Sequence, residues 1–145
     1  MLFLSLLVSV FMMMPSDPEP LELHLSELRW EKRVLLIFAD DASDEHYKQQ
    51  LQMLEQVKTG LDDRKLVRIT LTDGEPARYE GQPLNEESTR QIRARFAPET
   101  DRFSFVLLGL DGGEKLRSET PVSMNDLFAR IDRMPMRARE LRNRN

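Results

Sequence analysis

Val34-Leu35-Leu36-Ile37-Phe38-Ala39, followed directly by Asp40-Asp41-Ala42-Ser43-Asp44, is the stretch that decides the fold. Six consecutive apolar residues, most with branched side chains, describe a strand buried on both faces. Such a strand belongs at the centre of a sheet covered by helices. The run after it is a loop rich in helix-capping residue types, and Ser43 or Asp41 is expected to cap the next helix.

Reading outward, Tyr47, Leu51, Leu54, Val57 and Leu61 recur at helical spacing and give that helix one apolar face, with Gly60 as its expected stop. Leu66 to Leu71 alternates as a second strand. Residues 72–84 hold Gly74, Pro76, Gly81 and Pro83 and read as a long loop. Asn85 is placed to cap a third element whose first turn carries Glu86 and Glu87, where negative charge is favoured. Ile92 and Phe96 face its core, and Pro98 closes it. Phe103 to Gly109 is a third strand, Asp111-Gly112-Gly113 a tight turn, and Glu114 to Ser118 the returning fourth strand. Ser123 with Asp126 three residues on predicts a helix start, with Val122 and Leu127 at the staple positions. Leu127, Phe128, Ile131 and Met134 form that helix's buried face. Pro135 ends it and suits the first turn of a short terminal helix. Leu21 to Leu28 reads as an amphipathic lead-in.

The order strand, helix, strand, helix, strand, hairpin strand, helix is an α/β fold of the thioredoxin-like kind. It predicts a central four-stranded mixed sheet flanked by helices, with right-handed crossovers. Another small α/β sandwich with a different strand order is the alternative.

The chain has 145 residues, enough for one domain with its own core and short tails. Hydrophobic residues at 40% and charged residues at 32% exclude a disordered chain and a membrane bundle. A net charge of −4 argues against general nucleic-acid binding, which needs a basic face. There is no cysteine, so thiol–disulfide exchange through this chain is excluded.

Leu2 to Met14 is uncharged and nearly all apolar, too short for an ordinary membrane-crossing helix and suited to the core of a secretory signal peptide. A short membrane anchor or a buried N-terminal helix are the alternatives. The expected division is a signal peptide over 1–16, an extended Pro-rich linker over 17–24, the thioredoxin-like domain over 25–135 and a basic C-terminal tail or short helix over 136–145. The expected location is periplasmic or secreted, with no transmembrane span in the mature chain.

Three segments carry a resemblance that covers about Leu25 to Leu141. They are Leu28-Arg29-Trp30 with Arg33 to Ala39, Leu107-Leu108-Gly109 with Asp111 to Ser118, and Ile131-Asp132-Arg133-Met134-Pro135-Met136-Arg137. In these the chain resembles the domain of unknown function family 4174. That family includes small exported bacterial proteins and the C-terminal domains of sushi-repeat-containing extracellular proteins of animals. The resemblance implies a thioredoxin- or peroxiredoxin-like fold and supplies no catalytic residues. Active thioredoxins carry their cysteine pair just after the first buried strand, where this chain has Asp40 to Asp44. They also place a proline directly before the third strand, where this chain has Thr100-Asp101-Arg102.

Three groups of residues are ligand-binding candidates. Asp40, Asp41, Asp44 and His46 collect groups that suit a hard cation or general-base chemistry. The simpler reading is a solvated loop with a negatively charged helix start, and the Asp-x-Asp spacing and central Gly of a calcium loop are missing. Lys115 and Arg117, at alternate positions of the hairpin strand, suit a carboxylate or phosphate; their simpler role is to protect an edge. Arg137 belongs to an arginine-rich C-terminal segment with Arg130, Arg133, Arg139, Arg142 and Arg144, suited to an acidic surface or to the helix's own dipole. No metal or cofactor is expected. The leading expectation is a redox-inactive binding module whose partner is a protein or small anionic ligand of the cell envelope. The alternative is a thiol-independent enzyme or metal-binding protein using the acidic loop.

Overall fold

The computed structural model describes residues 16–145. The apolar run over 2–14, and the signal peptide read from it, lie outside the described residues. The first strand, β1 (Arg33–Ala39), is buried at every position. Its side chains alternate between two cores. Val34, Leu36 and Phe38 join one side, and Leu35, Ile37 and Ala39 the other.

β2 (Leu66–Thr72) lies parallel to β1 on one flank, and β5 (Ser104–Leu108) lies antiparallel to it on the other. β6 (Glu114–Ser118) folds back on β5 through the Asp111-Gly112-Gly113 turn. Gly112 takes a φ of 80°, a backbone conformation that glycine adopts without strain. β3 (Arg78–Tyr79) and β4 (Gln82–Pro83) extend the sheet beyond β2, giving the order β4-β3-β2-β1-β5-β6.

The sheet therefore has six strands where the sequence suggested four. The added pair comes from the segment read as a loop. Glu80 and Gly81 both adopt positive φ and close a two-residue hairpin between two-residue strands. Strands that short show no periodicity, and Glu at the first left-handed position hides the turn.

Among the described residues there are five α-helices, and the first four of them pack on the sheet. α1 (Glu45–Glu55) and α4 (Met124–Asp132) contribute Tyr47, Leu54, Leu127 and Ile131 to the Leu35/Ile37 core. α3 (Glu86–Phe96) contributes Ile92 and Phe96 to the opposite core. Asn85 and Ser123 cap α3 and α4 as expected, accepting the backbone N–H of Ser88 at 2.8 Å and of Asp126 at 3.2 Å.

The apolar stripe from Tyr47 to Leu61 is two helices, with α2 (Lys58–Asp63) starting after a break at Gln56-Val57. Gly60 is not a stop signal. It lies inside α2, where an added Cβ would come within 2.8 Å of the Phe128 ring, so it allows α4 to approach closely. The turn after α2 is made instead by Lys65, at a φ of 52°. Pro135 begins α5 (Pro135–Arg142) at a first-turn position, where its missing N–H costs nothing.

The two sheet edges differ. At β4, Leu21 donates its N–H to Pro83 O and accepts from Asn85 N–H, so the N-terminal segment covers that edge. At β6, no strand pairs with the outer side among the described residues.

Candidate functional site

The acidic loop sits at the C-terminal end of β1, and its carboxylates are held locally. Asp40 accepts the N–H of Asp41 at 2.9 Å. Asp41 accepts both the N–H and the hydroxyl of Ser43, which holds its carboxyl below the ordinary value. The cap of α1 is Asp44, not Ser43 or Asp41; it accepts the N–H of Tyr47 at 2.8 Å. Asp41 is already turned onto Ser43, and Asp44 directly precedes the helix, where its carboxylate reaches the free N–H of the third helical residue. His46 meets the edge of Phe103 at 5.6 Å, so the start of α1 and the segment before β5 do come together. Among the described residues, no three His, Asp or Glu side chains gather as a metal-binding group.

Lys115 and Arg117 each engage partners within the chain. A bulge between Leu107 and Leu108 breaks the regular alternation, so Glu114 stands opposite Leu108 and Lys115 is displaced. Lys115 Nζ bonds Asp111 at 2.8 Å, and its stem covers Gly109. Arg117 bonds Glu114 at 2.7 Å and the carbonyl of Phe96 at 3.0 Å, tying β6 to the end of α3.

Arg137 is only 2% exposed. Its guanidinium donates to Asp63 at 2.6 Å, to the Asp63 carbonyl at 2.8 Å, to Asp132 at 3.2 Å and to Glu140 at 3.3 Å. Arg33, fully buried at the start of β1, faces the same Glu140 at 3.2 Å and donates to the carbonyl of Arg64 at 2.8 Å. Burial pulls the Arg33 guanidinium below its usual value, with Glu140 opposing that effect. Asp63 is held low by Arg144 and Arg137. The cluster joins the start of β1, the end of α2 and α5. Nothing in the sequence marks the Arg33–Glu140 pair, because its members lie 107 residues apart.

Beside the open edge of β6 runs a groove of about 850 Å³. One wall is β6 itself. The other is α4 with its C-cap residue, where Asp126, Ala129, Arg130 and Arg133 follow i, i+3, i+4, i+7 spacing and share one face. Val122 and Met134 contribute apolar lining. The loop holding Val122 is fixed by Gln50, fully buried on α1, whose side-chain amide donates to Val122 O at 3.1 Å and accepts Val122 N–H at 2.7 Å. The amide thus acts as a strand partner for one residue. Nothing in sequence marks that pairing, whereas the α4 spacing was available to be read.

Parts of two of the three segments that carried the resemblance line this groove. Lys115 to Ser118 and Arg133 to Pro135 line it, and Arg29 lies across Gly112 at the adjoining turn. Over residues 24–140 the sequence matches the family described as Domain of unknown function (DUF4174). The chain belongs to this family. It is 30% identical over 123 residues to the human sushi repeat-containing protein SRPX2, covering 83% of this chain and 26% of that protein. A Xenopus laevis sushi repeat-containing protein SRPX2 is 27% identical over 114 residues, 77% of this chain and 25% of that protein. The zebrafish (Danio rerio) coiled-coil domain-containing protein 80 is 31% identical over 140 residues, 86% of this chain and 16% of that protein. The chain thus spans about a quarter or less of the length of these relatives. No helix among the described residues is long and apolar enough to cross a membrane.

Proposed function

We propose that this member of the DUF4174 family is an exported, redox-inactive binding module of thioredoxin-like fold, whose ligand is a protein or small anionic molecule of the cell envelope. The fold reading is supported by the β2-β1-β5-β6 portion of the sheet, with β1 and β2 parallel and the other neighbours antiparallel. It is supported further by α1 and α4 on one face and α3 on the other. Export is supported by the uncharged run from Leu2 to Met14. The observation that carries the function is the loop at the end of β1. There a redox relative holds its thiol pair, and here Asp40, Asp41 and Asp44 bind their own backbone. Such a site positions a helix and has no nucleophile for disulfide chemistry.

The test combines two measurements on one preparation of the full chain. Fractionation of producing cells is expected to find it outside the cytoplasm. Turbidimetric insulin reduction is expected to run at the buffer rate. Reductase activity that persists after immunodepletion of thioredoxin would overturn the redox-inactive reading, and a soluble cytoplasmic product retaining Met1 would overturn export.

A further inference from the structure

The groove beside β6 combines an unpaired strand edge with an uncompensated positive charge. Arg130 and Arg133 line it opposite β6 with one carboxylate, Asp126, on the same helix face, although the chain as a whole carries −4. Lys115 and Arg117 already have carboxylate partners. Arg130 and Arg133 are exposed and enter no ion pair among the described residues. The nearby Asp132 faces Arg64 and Arg137 instead. The wall opposite β6 is held in place by the Gln50–Val122 pairing, so the groove is a preformed feature of the fold.

We infer that the outer edge of β6 (Glu114–Ser118) receives an extended acidic segment of a partner protein, added as a further strand. Backbone groups of β6 would pair with that strand, and its carboxylates would reach Arg130 and Arg133 across the groove. This inference rests on the binding-module reading and specifies its surface and the chemistry of its partner. The chain's own acidic stretch, Asp17 to Glu19, leads into Leu21, which is anchored at the opposite edge of the sheet. A second copy of the chain would bring the same excess of arginine against itself, and like charges across an interface disfavour that pairing.

The probe is a short fluorescein-labelled peptide alternating Thr or Val with Glu, titrated by anisotropy against the full chain. Saturable binding is expected, with hydrogen-exchange protection gained at residues 114–118. Lys in place of Glu, or Pro at alternate positions, should abolish it, since the first reverses the charge and the second removes strand N–H groups. R130E with R133E should weaken binding by about tenfold or more, while K48E with K58E, on α1 and α2, should leave it unchanged. Equal binding of the Lys peptide, indifference to R130E with R133E, or no protection at β6 would overturn the inference. Self-association in sedimentation velocity with protection at β6 would overturn it in favour of a second copy. An envelope ligand that binds R130E with R133E and the parent equally would remove the groove and leave the binding-module reading standing. A chain that binds no envelope ligand at all would remove both.

Discussion

The loop from Asp40 to His46 and the cluster around Arg137 are both concentrations of charge, and they are built in opposite ways. The loop gathers its acids within seven residues of chain, and each of the three aspartates bonds a backbone N–H no more than three residues away. It is exposed and makes no long-range ion pair among the described residues. The cluster draws Arg33, Asp63, Asp132, Arg137 and Glu140 from four elements, β1, α2, α4 and α5, and buries two guanidiniums. Density of charge in sequence therefore marked the place where charge does local work. The place where charge holds distant elements together was visible only once the chain was folded. The arginines that remain free for a ligand, Arg130 and Arg133, lie between these extremes: near the cluster in sequence, outside it in space.

The sharpest way to break this contrast is to remove one buried partner. Glu140→Leu leaves the Arg33 guanidinium inside the protein without its carboxylate, and a buried charge stripped of its partner is strongly destabilising. A loss of about 2–3 kcal/mol is expected in urea unfolding. Arg33→Met combined with Glu140→Leu should cost no more than about half of that, because the buried charge goes with its partner. Equal losses in the single and double variants would mean that shape, not charge, governs the cluster.

Acid should act on the same cluster more gently. Asp63 is held below the usual carboxylate range by Arg144 and then Arg137, and Asp132 by Arg64 and, more weakly, Arg137. The folded state therefore binds fewer protons than the unfolded chain near the ordinary carboxylate value of about 4. The stability these groups contribute is complete above that value and is lost as pH falls through their depressed values. Hydrogen exchange over falling pH should show α5 losing protection before β1. High salt should loosen the exposed Arg144–Asp63 pair while sparing the buried Arg33–Glu140 pair. Simultaneous loss in α5 and β1 would mean that the cluster does not control docking of the helix.

Much of the fold was legible because it rests on local signals. β1 announced itself by six apolar residues, the β5–β6 turn by Asp111-Gly112-Gly113, and α3 and α4 by the caps Asn85 and Ser123. What stayed hidden depends on contact. The β3–β4 hairpin has two residues per strand, too few for any period to show. Gly60 looked like a stop because glycine is a usual one, whereas the Phe128 ring of α4 explains it. The candidate site was legible in composition and not in placement. Arg137 was a ligand candidate from its arginine-rich segment and proves buried, while Arg130 and Arg133 of the same segment, four and seven residues after Asp126, line the groove.

The smallest effects belong to the acidic loop, and they test whether its role is local. Asp44→Ala removes the side chain that accepts the Tyr47 N–H and should cost about 1 kcal/mol, the usual worth of a helix cap. Asp41→Ala should cost less, because its carboxylate closes only the exposed turn with Ser43. If the loop bound a metal ion, the ion would stabilise the native state in proportion to its occupancy, and the two variants would abolish that gain. The three carboxylates are already committed to the N–H groups of Asp41, Ser43 and Tyr47, and converging on one cation would require breaking the α1 cap. Differential scanning fluorimetry with added calcium, manganese or zinc is therefore expected to show no change in Tm for the parent. A saturable rise lost in Asp41→Ala would show that the loop rearranges around a cation, and would erase the contrast between locally and distantly satisfied charge.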